Sequence, residues 1–393
     1  ARGAVALSRG RALFQVPGER NGLHYAPRGI VAAISPWSAP IAVPAGMLAA
    51  ALATGNAVVF KPAHQTPLCG FVLVEALRDA GVPADAVALL QGDGETGAAL
   101  ARDPRVATIA FTGSSRAGLD VLAAAAEVAG GQRQLKRAIV EMGGKNCVIV
   151  DADADLDAAV PAIVRSAFDH SGQKCSAISR LLVHEAVADE VIDRVAAAVD
   201  ALVVGPAEEF ATDVGPMIDR AAQARVARYA QQAAMAGTVV AHRLPQEPGE
   251  RGWYCPPLVV ADVDPRAAVL RDEVFGPLLS IERVLSIGDA CDRIDALPYA
   301  LAGGLFCRSQ DTVEHVVART PVGNLYVNGP MTGAVVGRQP FGGNRLSGTG
   351  TKAGGPDHLL HFVEPLVVTE GTMPQPPRTG RFDASRTPES ASR

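Results

Sequence analysis

Short apolar segments alternate with helix-like segments through the first third of the chain, and this alternation constrains the fold more than any other feature. The strand-like segments are residues 29–34, 57–61, 87–91, 108–112 and 138–142. Two helix-like segments, 45–54 and 68–80, are followed by Gly55 and Gly81, a residue type common just past a helix C terminus. Strands that alternate with helices at these lengths predict βαβ crossovers, a parallel sheet and an α/β fold class.

A second α/β region begins near residue 143. Its expected elements are a strand at 147–150, a helix at 156–169, a strand at 180–184 and a helix at 187–202. We place a boundary at 142, so that residues 1–142 form a nucleotide-binding domain. A polar segment at 243–251 is expected to be a surface loop, and 363–369 a further strand. The tail 371–393 is rich in Pro, Ser, Thr and Arg and is expected to be disordered, because it cannot bury a core.

Composition excludes several classes of protein. The 393 residues carry a net charge of −5 and no basic run, which disfavours nucleic-acid binding. No uninterrupted apolar run approaches the roughly 18 residues of a membrane span, and no apolar segment of a signal peptide follows the first basic residues. The six cysteines form no C-x-x-C pair, so we expect a cytoplasmic enzyme with reduced thiols. Because the chain begins at Ala1 rather than Met, we expect a processed chain or a fragment.

No metal site is predicted. The eight histidines show no ligand spacing, and the acidic residues Asp151, Asp153 and Asp155 precede an apolar helix, where they suit its N terminus better than a calcium ion. Five of the cysteines lie in apolar contexts and are interpreted as core or near-core residues; they are Cys69, Cys147, Cys255, Cys291 and Cys307.

Two residues are candidates for catalytic chemistry. Cys175 lies among small residues beside Lys174, a setting that gives access and positive charge to a nucleophilic thiol; the alternative is a buried structural cysteine. Glu141 closes an apolar strand and precedes Gly143 and Gly144. Burial there would raise its pKa and suit it to act as a general base, whereas the alternative is a solvated carboxylate at a strand end.

Two glycine-rich turns are candidates for a phosphate site. Residues 92–97 match G-x-G-x-x-G and include Gly94. Residues 111–118 join a strand to a helix, where Ser114 and the backbone amides suit a pyrophosphate; the alternative is a loop with an N-cap serine. Lys61 stands at a strand end and suits ribose hydroxyls, or else is a solvated lysine.

Together the segments resemble the aldehyde dehydrogenase superfamily from about Pro17 to Glu370. Seven short motifs stand in the family's order: ISPW (34–37), KPA (61–63), FTGS (111–114), EMGG (141–144), GQKC (172–175), EVFGP (273–277) and PFGG (340–343). Residues 16–19, 25–29, 322–328 and 332–343 resemble one branch, the L-glutamate γ-semialdehyde (1-pyrroline-5-carboxylate) dehydrogenases.

The resemblance implies roles for individual residues. Cys175 would attack the aldehyde carbon, Glu141 would activate water to hydrolyse the thioester, and NAD would accept hydride. In the cofactor site, Lys61 would hold the adenine ribose, Ser114 the pyrophosphate and Glu273 the nicotinamide ribose. Phe275 would pack near the cofactor. The remaining residues of the implied cofactor site are Trp37, Gly94, Gly113, Gly118 and His64, which directly follows Lys-Pro-Ala. The substrate carboxylate would bind Ser176 and the backbone of Gly333 and Ala334, with Phe341 lining the channel.

Three departures fall at functional positions. Ser38 stands where the family has an Asn that donates to the oxyanion, and the loss of such a donor costs about 10²–10³ in rate. Ala39 replaces an aromatic residue of the aldehyde channel. His64 replaces a carboxylate that binds the adenine ribose, which leaves NADP open as an alternative to NAD.

The resemblance also implies an organisation and leaves alternatives. It implies a Rossmann-type domain at 1–142 that lacks its front, an α/β catalytic domain at 143–345, and a return segment with a small oligomerisation strand at 346–370. It predicts a homo-oligomer and a fused or partner proline dehydrogenase. The alternatives are a dehydrogenase for a different aldehyde, and a weak or inactive member that binds nucleotide or a partner subunit.

Overall fold

The structure is a computed structural model that describes residues 2–244 and 252–372. Most of the predicted loop at 243–251, and all of the predicted tail except residues 371 and 372, lie outside the described residues.

Ten α-helices lie in the described part of the chain: α1 (Arg2–Ser8), α2 (Ala42–Ala53), α3 (Pro67–Asp79), α4 (Gly94–Arg102), α5 (Ser115–Ala126), α6 (Leu156–Phe168), α7 (Ala188–Asp200), α8 (Arg220–Ala236), α9 (Ile287–Asp295) and α10 (Gln310–Arg319). The strands of the same residues are β1 (Arg11–Ala12), β2 (Glu19–Pro27), β3 (Ile30–Ile34), β4 (Ala57–Lys61), β5 (Val87–Leu89), β6 (Val106–Thr112), β7 (Arg137–Glu141), β8 (Asn146–Val150), β9 (Ile178–His184), β10 (Thr238–His242), β11 (Leu258–Ala261), β12 (Leu278–Val284), β13 (Tyr299–Ala300), β14 (Ala302–Phe306), β15 (Asn324–Val327), β16 (Asn344–Arg345) and β17 (Val363–Gly371).

The described residues form two compact units, 27–363 and 2–26 with 364–372. The larger unit holds both main sheets, of which the first ends at Glu141 and the second begins at Asn146. The assignment of separate domains to 1–142, 143–345 and 346–370 stays a prediction.

The first sheet is fully parallel, in the order β5-β4-β3-β6-β7. Its strands read as continuous apolar runs because helices cover both faces. Phe60 and Val31 pack with Leu48 of α2 and Val74 of α3 in one cluster. On the other face Ile109, Leu100 of α4 and Val121 of α5 pack in a second cluster. The α/β class and the parallel sheet predicted from the alternation are confirmed, as is the Rossmann-type sheet that the resemblance implies.

The second sheet has the order β10-β11-β12-β9-β8-β14-β15. Its strands are parallel except for β10, which is antiparallel to β11. Every residue of β8, β11 and β14 is buried, as expected for central strands with helices on both faces. The short pair β13 and β16 is antiparallel, Tyr299 opposite Arg345, and draws residues 344–345 back to the segment before β14.

The smaller unit contains a three-stranded sheet in the order β1-β2-β17. The strand predicted at 363–369 is present as β17 and runs on to Gly371. Leu366, Val367 and Val368 on this strand are exposed.

Among residues 2–244 and 252–372 no helix combines the length and the apolar character that a membrane crossing requires.

Candidate active site

Four parallel strands of the first sheet end at one edge. Each carries predicted site residues at its last position or just after it. Trp37 and Ser38 follow β3, Lys61 closes β4, and Glu141 closes β7. Gly113 and Ser114 come directly after β6. The chain leaves β3 toward β4 on one side and returns to β6 on the other, so this edge is a topological switch point, where α/β sheets bind ligands.

The N termini of α5 and α4 lie at this edge. Ser114 caps α5 and accepts from the amide of Ala117 at 3.4 Å. A Cβ on Gly113 would lie 2.6 Å from the ring of Phe111, and one on Gly118 would lie 2.5 Å from Sδ of Met142. A side chain at either position would force Phe111 or Met142 to shift, and the lack of one at Gly118 lets α5 pack closely on the strands.

The glycine-rich turn at residues 92–97 is held by a helix cap of its own. Asp93 caps α4 and accepts from the amides of Glu95 and Thr96 at 3.0 and 3.2 Å. The donors next to Gly94 are therefore already occupied by a carboxylate, and a cofactor role for Gly94 stays a prediction.

Lys61 is buried at the end of β4, and its ammonium donates to the carbonyl of Pro62 at 2.9 Å. Burial lowers the pKa of Lys61, and the nearby charge of Asp93 partly offsets this. His64 is exposed in the turn that follows. At this strand end the Lys61 ammonium is therefore held by the Pro62 carbonyl, whereas the His64 imidazole is exposed to solvent.

A strained turn positions Cys175. His170, Ser171 and Gly172 have successive φ values of 58°, 56° and 65°, a left-handed run that is rare for residues with a Cβ. The buried Ser171 hydroxyl donates to the carbonyl of Gly215 at 2.8 Å. The Gln173 side chain accepts from the amide of Ile218 at 2.9 Å. These bonds hold a conformation that the local sequence alone disfavours.

Asn146 fixes the other side of this loop. Its side-chain amide donates to the carbonyls of Cys175 and Ala177 at 2.7 and 2.9 Å, and accepts from the amide of Ala302 at 3.1 Å. The sequence reasoning missed this buried residue. The available signal was a lone amide side chain at the start of an otherwise apolar strand.

Glu141 is enclosed by a distant segment. Its Oε2 accepts from the amide of Gly343 at 3.0 Å, while Oε1 is buried without a partner among the described residues. Glu141 also pairs with Gly348 in an antiparallel bridge. Burial raises the pKa of Glu141 to about 8, against the lowering effects of the Gly343 hydrogen bond and the Lys352 charge.

Glu273 lies on the loop before β12, against the backbone that follows Glu141. Gly144 donates to its Oε1 at 3.3 Å, and a Cβ on Gly143 would overlap its carboxylate. Burial raises the pKa of Glu273 to about 7. Phe275, with φ 55°, places its ring edge-on to Trp37 at 5.4 Å between centroids.

The thiol and the two carboxylates form one cluster. Burial, then the charge of Glu273 and that of Glu141, raise the pKa of Cys175 to about 12, while backbone amides of Cys175 and Ser176 act in the opposite direction. A cavity of about 20 Å³ is lined by Cys175, Glu273, Gly144 and Phe275 among others, enough for one water molecule. A thiol, the predicted nucleophile, thus lies among two carboxyl groups whose raised pKa values, about 8 and about 7, are close to neutral pH.

The predicted substrate-binding residues are spread more widely. Ser176 is half-buried next to Cys175, and Phe341 is half-buried against the largest apolar cluster. Gly333, with φ 86°, and Ala334 are exposed on the loop after β15. Ser38 and Ala39 are half-buried in the bend after β3.

Four of the five cysteines interpreted as core residues are buried: Cys147, Cys255, Cys291 and Cys307. Cys69 is half-buried on α3.

Many known proteins are similar to this chain in sequence and in fold. The chain is 41% identical over 355 residues to the 1-pyrroline-5-carboxylate dehydrogenase of Geobacillus thermodenitrificans, covering 90% of this chain and 68% of the relative. The Bacillus subtilis enzyme of that name is 38% identical over 371 residues, 94% of this chain and 72% of its own.

Solved structures agree with these relatives. The 1-pyrroline-5-carboxylate dehydrogenase from Thermus with bound NAD superposes with a TM-score of 0.91 at 39% identity, over 94% of this chain and 72% of that one. Proline utilization A from Bdellovibrio bacteriovorus gives 0.92 at 39% identity, over 95% of this chain but only 39% of that much longer protein. Residues 2–368 match the aldehyde dehydrogenase family. The chain therefore belongs to the aldehyde dehydrogenase family.

Proposed function

We propose that this chain catalyses the NAD-dependent oxidation of L-glutamate γ-semialdehyde, which arises from 1-pyrroline-5-carboxylate, to L-glutamate in proline catabolism. The observation that carries the proposal is the cluster of Cys175, Glu141 and Glu273 at the carboxyl edge of a Rossmann-type sheet. Relatives that share about 40% of its residues are named for this reaction.

The residues at the switch point fit a dinucleotide. The Ser35 and Thr66 hydroxyls are buried without partners among the described residues, Lys61 offers an ammonium, and the N terminus of α5 offers free amides. We propose that Lys61 holds the adenine ribose, Ser114 and the amides near Gly113 the pyrophosphate, and Glu273 the nicotinamide ribose. When bound, NAD supplies the acceptor for the hydride that leaves the substrate carbon.

Cys175 begins the reaction by attacking the aldehyde carbon as a thiolate. The carbonyl oxygen becomes an oxyanion, which the Cys175 backbone amide stabilises, with Ser38 in the place of a longer donor. Loss of hydride from the same carbon leaves a thioester on Cys175. The tight anchoring of this loop through Asn146 and Ser171 keeps the sulfur in place through both steps.

Glu141 completes the reaction. Its carboxylate takes a proton from water as the water attacks the thioester, which releases glutamate and restores the Cys175 thiolate. A raised pKa suits this role because a carboxylate with a pKa near 8 is a stronger base than an ordinary one.

Substrate specificity is proposed to come from an anchor for the α-carboxylate. The Ser176 hydroxyl and the amides of Gly333 and Ala334 bind an anion without an arginine, and Phe341 packs against the aliphatic part. The positive φ of Gly333 suits a loop that turns its amides toward a ligand.

We also propose that the protein forms a homo-oligomer and works with a proline dehydrogenase, fused or separate. Supporting the second point, a solved structure that matches 94% of this chain is described as bifunctional proline utilization A. The exposed apolar residues of β17 support the first.

A second candidate is a dehydrogenase for a bulkier aldehyde, or one of weak activity. Ala39 and Ser38 favour it, since both shorten side chains at the proposed aldehyde site.

The decisive experiment supplies pyrroline-5-carboxylate with NAD or NADP to the full chain and follows reduced cofactor by absorbance. Wild type should turn over, Cys175→Ser should not, and Cys69→Ser, a matched change at a half-buried cysteine on α3, should retain activity. A folded wild-type protein without turnover on this substrate would reject the proposed function, and turnover on larger aldehydes alone would favour the second candidate.

A further inference from the structure

A single peptide group links Lys352 to Glu141. The amide of Gly343 donates to Oε2 of Glu141 at 3.0 Å, and the carbonyl oxygen of the same peptide, that of Gly342, accepts from the ammonium of Lys352. The amide hydrogen and the carbonyl oxygen of a trans peptide point to opposite sides. A cation on the carbonyl side therefore sets the direction of the amide, and it polarises the peptide so that the amide is a stronger donor.

Lys352 is itself held in place. Its ammonium also donates to the carbonyl of Gly323 at 2.7 Å, so two carbonyls from different segments converge on one cation. A Cβ on Gly323 would lie 1.9 Å from the Gly342 oxygen and 2.6 Å from Nζ of Lys352. A side chain there would force the backbone of Gly342 to move, so the glycine allows the three residues to meet.

The chain before this peptide is anchored by a second side chain. The Asn324 amide donates to the carbonyl of Pro340 at 2.9 Å and accepts from the amide of Gly342 at 3.2 Å. These bonds fix the approach to the Gly342–Gly343 peptide, whereas Lys352 holds the carbonyl of that peptide itself.

The charge of Lys352 favours the ionised form of Glu141. Burial raises the pKa of Glu141 to about 8, and the Gly343 hydrogen bond and the Lys352 charge act in the opposite direction. Burial lowers the pKa of Lys352, and the charge of Glu141 raises it. Cys175 is a further titratable neighbour, because the Glu141 charge raises the pKa of its thiol. A buried base that must be ionised to take a proton from water needs a compensating cation.

We propose that Lys352 is a positioning residue, which holds the Gly342–Gly343 peptide by its carbonyl so that the amide binds Glu141 and keeps the carboxylate ionised and in place to activate water. Lys352 keeps its own proton throughout, so no further reactant is required. The inference rests on the proposed function, in which Glu141 is the base for thioester hydrolysis.

The test is the protonation of Glu141 itself, measured without substrate or cofactor. A protonated carboxyl group has an infrared carbonyl band that its ionised form lacks, and the band that Glu141→Gln removes belongs to Glu141. This subtraction is needed because the pKa of Glu273 is also raised, to about 7. Lys352→Met keeps the length of the side chain but removes its charge and its donors. It should raise the pH midpoint at which the Glu141 band disappears by about one unit.

Lys136→Met is the matched control. Lys136 is also half-buried and donates to a backbone carbonyl, that of Ala101, at 2.7 Å. The largest charge effect on the pKa of Lys136 is that of Asp103. Lys136→Met should therefore leave the Glu141 midpoint where it is in wild type.

Lys352→Gln is the second variant, for the case that Lys352→Met does not fold. Its amide can still donate to a carbonyl, but the charge is gone, so it should raise the same midpoint.

Turnover gives a readout that a purely structural role would not move. At pH 7 the kcat of Lys352→Met should fall about tenfold, because one unit in the Glu141 midpoint changes the ionised fraction by that factor. The kcat should recover above the raised midpoint, with an unchanged KM for NAD and an unchanged first release of reduced cofactor. A kcat that falls equally at every pH would assign Lys352 a structural role instead.

An unmoved Glu141 midpoint in Lys352→Met or, where that variant does not fold, in Lys352→Gln would overturn the proposal. A shift of the same size in Lys136→Met would do so as well. Because the titration needs no turnover, a raised midpoint in a protein that does not oxidise pyrroline-5-carboxylate would reject the proposed function alone.

Discussion

The amide of Gly343 binds Oε2 of Glu141 at 3.0 Å, across 202 residues of chain. Among the described residues, this is the only hydrogen bond to the Glu141 carboxylate, because its Oε1 is buried without a partner. One amide does not offset the loss of water, so burial dominates and the pKa of Glu141 rises to about 8. The base chemistry proposed for Glu141 would therefore depend on a segment from the far end of the chain.

Glu141→Gln should separate the two halves of the reaction. Without a base for water, the steady-state kcat should fall at least about 10²-fold. The first turnover should still release about one equivalent of reduced cofactor per site, because hydride leaves before water attacks. Rapid-mixing absorbance measures both phases, and Glu314→Gln, an exposed change on α10, should alter neither. Normal steady-state turnover in Glu141→Gln would contradict the assignment.

The same substitution should alter stability in a pH-dependent way. A folded-state pKa of about 8 against 4.5 means that the folded protein holds this proton more tightly. The free energy of unfolding therefore falls as pH rises between these values. Compared with wild type, Glu141→Gln should be more stable by about 2 kcal/mol near pH 9 and about equal near pH 4, as measured by urea unfolding. The opposite trend would show that the carboxylate is stabilised when charged.

Gly172→Ala tests the strained turn before Cys175. Gly172 has φ 65°, and a Cβ there would overlap the carbonyl of Gly276. Gly81→Ala is matched, since Gly81 has φ 89° but open space around its Cβ position. We expect Gly81→Ala to cost about 1 kcal/mol with full activity. Gly172→Ala should cost about 3 kcal/mol or more and lose most of its kcat. Equal losses in the two variants would mean that the close approach to Gly276 is unimportant.

Ser38→Asn tests the oxyanion donor. If the shorter hydroxyl limits the rate, restoring a side-chain amide should raise kcat about tenfold or more, with little change in the KM for NAD. Ser38→Ala completes the series, because it reports what the hydroxyl already contributes. An unchanged kcat in Ser38→Asn together with a lowered one in Ser38→Ala would show that serine fills the role.

His64→Glu tests cofactor choice. A carboxylate at this exposed position beside Lys61 should repel a 2′-phosphate and lower kcat/KM for NADP about tenfold, with that for NAD held or improved. His315→Glu, an exposed change on α10, is the control. A wild-type enzyme that already prefers NAD many-fold would dismiss the idea that His64 relaxes selectivity.

Local patterns predicted the parallel sheet well, because strand and helix limits depend on nearby residues. The helix expected at 68–80 is α3 at Pro67–Asp79, which ends just before Gly81 as the glycine rule requires. The strand expected at 57–61 is β4 without change. At the turn 92–97 the glycine pattern did not indicate that Asp93 accepts from the helix amides of Glu95 and Thr96, and the cofactor role of Gly94 stays a prediction.

The long-range contacts that enclose Glu141 could not be predicted from local sequence patterns. Nothing local to Glu141 indicates that Gly343 and Gly348 will enclose it. Likewise Asn146 gains its importance from Cys175, Ala177 and Ala302, which lie outside its own strand. The resemblance to a family supplied which residues to examine, but the burial that sets their pKa values is a property of the assembled fold.

The antiparallel bridge between Glu141 and Gly348 also has a consequence for the order of assembly. During synthesis, the strands of the first sheet are complete in sequence when residue 141 has been made, yet without the later segment the Glu141 carboxylate would face water and keep an ordinary pKa. The raised pKa of Glu141 depends on some two hundred further residues having been added and having folded back onto β7. A chain that lacks residues 343–348 would therefore lack the contacts that enclose Glu141, and the proposed base would keep an ordinary carboxylate's strength.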